Sequence, residues 1–199
     1  MRQKSLTRSI LQPLAIALGL AVVVRGAMRI YSIPSASMSP TLQIGDHIVV
    51  TPYFDGDPRR GDVVVFRMPS DPGALVVKRV IGVPGDLIDS RLGRVRIGEH
   101  TLTEPYLLAD AATGAIEAQI VPPRSYFVMG DNRANSLDSR SWGTLPREQI
   151  VGRARMVLWS SSWSGGDGDS ADAANASPLT AEGDRARRDA GLRIFKWVE

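Results

Sequence analysis

Gly-Asp pairs recur along the chain, among them Gly45-Asp46, Gly61-Asp62, Gly85-Asp86 and Gly130-Asp131, and the first three of these run straight into apolar or alternating segments. Glycine adopts the backbone angles a tight turn needs, and aspartate can close the turn through its side chain, so each pair reads as a turn feeding a strand. The segments that follow are rich in β-branched residues, as in Ile48-Val49-Val50 and Val63-Val64-Val65. Unbroken runs of this kind predict strands covered on both faces. Strands are expected over His47–Thr51, Asp62–Arg67, Leu75–Val83, Asp86–Ser90, Arg94–Ile97, Tyr126–Met129 and Val151–Trp159. No long amphipathic helical pattern interrupts them before residue 180. The predicted class is mainly β, with an antiparallel core and irregular loops.

The N-terminus has a different texture. From Ser9 to Val24 there is no charge, and Leu, Ala, Ile and Val dominate. Sixteen helical residues reach about 24 Å, short of the roughly 30 Å hydrocarbon core. Continuing the helix to about Tyr31 closes the gap, with Arg25 and Arg29 snorkelling to the far interface. Arg2, Lys4 and Arg8 precede the segment and favour a cytoplasmic N-terminus, although Arg25 and Arg29 pull the other way. A cleavable signal peptide is the alternative. Against it, no small-x-small site follows the run, since Arg25 occupies the small-residue position two before Ala27. Residues 1–31 are therefore expected to be a cytoplasmic stub and one transmembrane anchor, with the rest of the chain outside the cytoplasm.

At 199 residues the chain can bury one proper core and still carry tails. Residues 32–159 are expected to form a single β domain. Within it, 86–121 is more polar, with a hairpin at Gly98-Glu99-His100 and a loose stretch at Ala109–Ala118, and reads as a smaller inserted β lobe. Residues 160–180 are mostly Ser, Gly, Asp, Ala and Asn, too polar to order themselves, and are expected to be a disordered linker. Residues 181–199 are Arg-rich and end in Leu192, Ile194, Phe195, Trp197 and Val198. They read as a basic amphipathic tail, either resting on the membrane surface or packed as a helix on the domain. The net charge is only +3, and Arg91-Leu92-Gly93-Arg94-Val95-Arg96 alternates charge with small or apolar residues, as a solvated strand face does. No nucleic-acid partner is expected.

The catalytic options are few. With no cysteine, disulfides and thiolate metal sites are excluded, and the two histidines, His47 and His100, fall in a strand pattern and a polar turn. What remains is a serine in a stiff proline-bounded loop, Pro34-Ser35-Ala36-Ser37-Met38-Ser39-Pro40, and a lysine, Lys78, ending the apolar run Ala74-Leu75-Val76-Val77. A serine hydroxyl is a poor nucleophile until a base takes its proton. Lysine can be that base only when neutral, and with an ordinary pKa near 10.4 it needs desolvation to become so at pH 7. On a strand, Lys78 and Arg79 point to opposite faces, so burial can take one and spare the other.

These strings resemble a known family. Ile33-Pro34-Ser35-Ala36-Ser37-Met38-Ser39-Pro40-Thr41-Leu42, followed by Gly45-Asp46, is similar to the serine box of bacterial type I signal peptidases. Arg60-Gly61-Asp62-Val63-Val64-Val65-Phe66 resembles the next box, and Lys78-Arg79-Val80-Ile81-Gly82-Val83-Pro84-Gly85-Asp86 resembles the lysine box. Gly130-Asp131-Asn132-Arg133-Ala134-Asn135-Ser136-Leu137-Asp138-Ser139-Arg140-Ser141-Trp142-Gly143 resembles the last box. The one visible variation is Ala36, where glycine is common.

The resemblance implies a Ser–Lys dyad, with Ser37 as nucleophile and Lys78 as general base. It implies that Ser136 aims the lysine amine and that the Ser37 N–H and Ser35 hydroxyl hold the oxyanion. Asp131, Asp138, Arg140 and Arg79 would brace these groups. Ile33, Met38, Leu42 and Val77 flank the matched residues and are candidates for shallow apolar substrate pockets. The implied substrates are exported preproteins, cut after a small residue and bound as an added β-strand. No metal, nucleotide or other cofactor is implied. The implied setting is the cytoplasmic (inner) membrane, with one span, a periplasmic catalytic domain, the bilayer as partner and the export machinery nearby. The Leu102-Thr103-Glu104-Pro105-Tyr106-Leu107 string also resembles the family, and its expected role is shape. Two other readings were weighed against this one. A self-cleaving Ser–Lys repressor would need a DNA-binding module in place of the apolar segment. A membrane-tethered, non-catalytic β module would keep its binding after loss of Ser37 or Lys78.

Overall fold

The pairs Gly45-Asp46, Gly61-Asp62 and Gly85-Asp86 build the same turn. Asp46, Asp62 and Asp86 each donate a backbone N–H to the carbonyl three residues earlier (Gln43, Arg59 and Val83) at 3.0–3.1 Å. Each Asp side chain accepts the N–H of that same residue, at 2.9, 3.0 and 2.6 Å respectively. Gly45, Gly61 and Gly85 have φ of 86°, 91° and 88°, the positive value that the third position of a type II turn requires. The chain is thus turned into a new strand each time by one reciprocal device.

In a computed structural model, residues 11–19, 26, 28–54, 56–109, 111–160 and 196–198 are described. The strands are β1 (Arg29–Ser32), β2 (Asp46–Thr51), β3 (Val63–Met68), β4 (Asp71–Gly82), β5 (Leu87–Arg91), β6 (Arg94–Ile97), β7 (His100–Thr101), β8 (Gln119–Ile120), β9 (Ser125–Met129), β10 (Leu145–Pro146), β11 (Ile150–Ser160) and β12 (Lys196–Trp197). Helix α1 covers 11–19 and α2 covers Ser139–Trp142. The larger sheet runs β1-β2-β11-β3-β4-β9-β10, with β12 also on β11; the smaller runs β7-β6-β5-β8. Every pairing is antiparallel. The fold is mainly β, and all seven expected strands are present, six of them with shifted ends.

Burial on both faces follows the β-branched runs. Val63, Val64, Val65 and Phe66 of β3 are all at most 2% exposed. Val63 and Val65 pack with Ile33, Met38, Leu42 and Ile48, whereas Val64 and Phe66 pack with Val80, Tyr126 and Val128. Each such side chain contributes about 1.5–3 kcal/mol. A third cluster, with Ile81, Phe127 and Met129 from the large sheet and Ile88 and Val95 from the small one, joins the two sheets.

Strand β4 matters most for function. It pairs with β3 from Asp71 to Arg79, but β9 joins its other edge only from Arg79 onward. The stretch from Asp71 to Val77 therefore has β3 on one side and no strand of the described residues on the other.

Three expectations need correction. A helix running to about Tyr31 is excluded, because Arg29–Ser32 pair with His47–Val50 as a strand. Lys78 and Arg79 do point to opposite faces, yet both are buried, at 3% and 1%, because each face of the strand is covered. Leu42 is fully buried in the core under the serine loop, so it supports that loop and does not line the cleft beside it. Of the 181–199 tail, Lys196–Trp197 form an edge strand on Met156–Val157 and Val198 is buried in the core. The linker expected at 160–180 lies, beyond Ser160, outside the described residues.

The apolar residues of α1 (Leu11, Leu14, Ile16 and Leu18) are all 60–66% exposed. Among the described residues no helix is long and apolar enough to cross a membrane.

Candidate active site

The serine loop is clamped at its base and plugged underneath. Ile33 N donates to Asp46 O at 2.8 Å and Gly45 N donates back to Ile33 O at 2.9 Å, closing the loop. Ala36–Met38 form one 3-10 turn that Ser39 N closes on Ala36 O, at 3.1 Å. Met38, 1% exposed, drives its side chain into the core and turns the neighbouring Ser37 outward.

Ser37 Oγ lies 2.7 Å from Lys78 Nζ and 3.3 Å from Ser35 Oγ. The lysine comes from β4, across 41 residues of sequence. Burial pushes its pKa down from 10.5 to about 8; Asp138 and Asp131 oppose that shift, and Arg140 adds to it. At neutral pH a far larger share of the amine is uncharged than on a free lysine. A serine hydroxyl in contact with such an amine can pass its proton over, attack a carbonyl and form an acyl-enzyme.

The other face of the β4 dipeptide is held by charge. Arg79 makes a two-pronged pair with Asp131, Nε to Oδ1 at 2.9 Å and Nη2 to Oδ2 at 2.8 Å. Its Nη1 donates to Gly61 O at 2.9 Å, and Thr41 Oγ1 donates to Asp131 Oδ2 at 2.5 Å. The Gly130-Asp131 pair thus serves the site, whereas Gly45-Asp46, Gly61-Asp62 and Gly85-Asp86 make turns.

Its glycine is required for a different reason, close approach. A Cβ on Gly130 would lie 2.3 Å from Ser136 Oγ and 2.4 Å from Ser37 O. Two residues on, Asn132 donates its N–H to Ser37 O at 3.0 Å and its Nδ2 to Ala36 O at 3.2 Å. Asp138 accepts from Gly130 N at 3.0 Å and from Arg140 Nε and Nη2, both at 2.8 Å, while its side chain also caps α2. Burial alone would raise the Asp138 pKa, but the Arg140 guanidinium, the Gly130 N–H and the nearby Ser136 hydroxyl outweigh it and hold the carboxyl below its usual range. Ser136 Oγ is buried and makes no hydrogen bond of normal geometry, to Lys78 or to any other described residue.

A cleft of about 290 Å³ opens beside Ser37, lined by Tyr31–Ser35, Ser37, Met38, Val65 and Leu75–Val77. Ile33, Met38 and Val77 line it. A larger hollow of about 640 Å³ lies wholly in the smaller lobe, between Leu92 and Ala112, and holds neither Ser37 nor Lys78. Among the described residues no cluster of acidic or histidine side chains could hold a metal. His47 stacks on Trp159 with ring centres 4.5 Å apart, and His100 is exposed on β7.

Sequence reasoning missed Thr41, Asn132 and Arg133, and gave Glu104 and Tyr106 only a shape role. Arg133 donates Nε to Gly130 O at 3.1 Å and pairs through both Nη atoms with Glu104, whose Oε1 also accepts from Tyr106 Oη at 2.8 Å. The Tyr106 ring lies 3.9 Å from the Arg79 guanidinium. The signal that could have found Asn132 and Arg133 was their place inside the last box.

The sequence model described as "Signal peptidase, peptidase S26" matches residues 6–159. The chain is 39% identical over 183 residues to signal peptidase I of Pseudomonas fluorescens, covering 66% of this chain and 64% of that protein. It is 42% identical over 139 residues to probable signal peptidase I-2 of Synechocystis sp., covering 64% and 61%, so these two relatives are matched over less than two thirds of their length. Signal peptidase I of Leptolyngbya laminosa is 40% identical over 159 residues, covering 71% and 76%. A solved signal peptidase I from Enterococcus faecalis aligns at a TM-score of 0.45 with 31% identity, over 49% of this chain and 97% of the other. The family match takes in the serine loop, the buried lysine and the segment that clamps them, and the chain belongs to the signal peptidase family, peptidase S26.

Proposed function

We propose that this protein is a serine endopeptidase that removes signal peptides from exported preproteins, cutting after a small residue. The observation that carries the reading is the 2.7 Å contact between Ser37 Oγ and a lysine amine whose pKa burial lowers to about 8. Lys78 takes the Ser37 proton as the hydroxyl attacks the scissile carbonyl, then returns it to the leaving amine. The Ser37 N–H and Ser35 hydroxyl receive the oxyanion; one such donor is worth about 10²–10³ in rate. Ser136, whose hydroxyl is buried beside the Asp138 carboxyl, is assigned the aiming of the Lys78 amine by the family resemblance. Asp131, Asp138, Arg79 and Arg140 brace these groups, and no cofactor takes part.

The substrate enters extended along the open edge of β4, its small side chains filling the cleft at Ile33, Met38 and Val77. The apolar segment from Ser9, of which α1 is the described part, anchors the protein once in the cytoplasmic membrane, N-terminus inside and catalytic domain on the periplasmic side, near the export machinery. Exposed Leu11, Leu14, Ile16 and Leu18 support that reading. A tether this close to Ser37 holds the nucleophile at the height where a signal peptide leaves the bilayer. In organisation, 32–159 is the catalytic unit, with 86–121 as its smaller lobe.

The test is cleavage of a signal-bearing preprotein by the full chain in detergent, with the new N-terminus mapped by mass spectrometry. Ser37→Ala and Lys78→Ala should each abolish cleavage and leave the unfolding midpoint near that of the parent. Turnover by either variant within a few-fold of the parent rejects the mechanism.

A further inference from the structure

The smaller lobe reaches the catalytic loop through two buried arginines. Glu104 and Tyr106 sit on a turn after β7, closed by Leu107 N donating to Glu104 O at 3.2 Å. The Glu104 carboxylate grips Arg133, and the two side chains are 6% and 1% exposed. Arg133 Nη1 also donates to Thr113 Oγ1, at 2.5 Å, from the same lobe. Its Nε holds the Gly130 carbonyl, and Gly130 packs against Ser37 O with no room for a single methyl group. Two residues on, Asn132 holds the serine loop by two hydrogen bonds. In parallel, the Tyr106 ring caps Arg79, the immediate neighbour of Lys78, and its hydroxyl returns to Glu104. The carboxylate therefore reaches Ser37 through Arg133 and Gly130, and the ring reaches Lys78 through its neighbour Arg79.

We infer that the Glu104–Tyr106 turn positions the dyad, setting the Ser37–Lys78 geometry through Arg133 and Arg79. The inference rests on the peptidase reading above. Neither Glu104 nor Tyr106 lines the cleft beside Ser37, so the turn acts on the chemical step and not on substrate capture. A charged fork locked by a buried carboxylate fixes its target more tightly than a neutral contact does. Displacement of reacting groups by an ångström from a distant change costs up to about 100-fold in rate.

The experiment compares the full chain in detergent with Glu104→Gln and Tyr106→Leu. It reads kcat and KM on one signal-bearing preprotein, and deuterium exchange in the peptides covering residues 35–42. Both variants should lose about 10- to 100-fold in kcat with KM within about twofold, and exchange at 35–42 should rise while that of β3 does not. Unchanged kcat per folded molecule, or a loss carried by KM alone, overturns the inference. Should Glu104→Gln fail to fold, Tyr106→Leu, which leaves the Glu104–Arg133 pair intact, decides it. Should the parent cleave no preprotein, the peptidase reading fails and the exchange data alone judge the positioning: protection at 35–42 unchanged in both variants rejects it.

Discussion

Lys78 and Arg79 are adjacent on one strand, equally buried, and treated in opposite ways. On the Arg79 face the protein supplies a carboxylate in two-pronged contact, a backbone carbonyl, a hydroxyl and an aromatic ring. On the Lys78 face the contact is a serine hydroxyl, and the carboxylates of Asp138 and Asp131 act without touching. Guanidinium cannot give up its proton under any protein condition, so the first face has to neutralise it or fail to fold. An amine can shed its proton, and the second face leaves it under-solvated with its pKa lowered to about 8. Burial is common to both; what separates a structural cation from a reactive one is whether an anion is brought into contact.

Swapping the chemistry of the reactive face should have the largest effect. Lys78→Arg keeps the positive charge but removes any accessible neutral form, and preprotein cleavage should fall by about 10⁴-fold. Retained cleavage would show that the amine is not the base. Next in size is the structural face. Asp131→Asn leaves a charged guanidinium buried against a neutral partner, and unfolding of the full chain by urea should show a loss of about 3–5 kcal/mol. A loss below about 1 kcal/mol would mean that water or another group compensates Arg79. Smallest is the pH response. The working form of Lys78 is neutral and its folded pKa is about 8, so kcat/KM should climb about tenfold per pH unit below 8 and level off above it. The same shift has a sign for stability. Because the unfolded lysine holds its proton up to about 10.5, the folded state gains stability as pH rises from 8 toward 10.5. A flat profile between pH 6 and 8 would break the link between burial and reactivity.

Most of the strand framework was readable in advance because its signals are local. A Gly-Asp turn and the β-branched run after it lie within ten residues, and their physics does not depend on distant partners. Strand β1 was not readable, since Arg29-Ile30-Tyr31-Ser32 continues an apolar segment and only its pairing with His47–Val50 makes it extended. The proximity of Ser37 and Lys78 was legible only through the resemblance of their boxes, and the burial of both Lys78 and Arg79 was not legible at all. That required knowing that the serine loop covers one side and that Tyr106 and Asp131 cover the other. Leu42 looked like a pocket residue from its place near Ser37; packing sends it inward instead. Glu104 and Arg133 lie 29 residues apart with no pattern joining them, so their pairing emerges only in three dimensions.

The half-open edge of β4 has a further consequence. A row of unsatisfied N–H and C=O groups accepts any extended chain, including a second copy of this protein, and backbone pairing by itself cannot tell a client from a contaminant. In the proposed function, discrimination comes from side-chain fit in the cleft lined by Ile33, Met38 and Val77. If the proposed client pairs here, the same opening is where unwanted self-association begins.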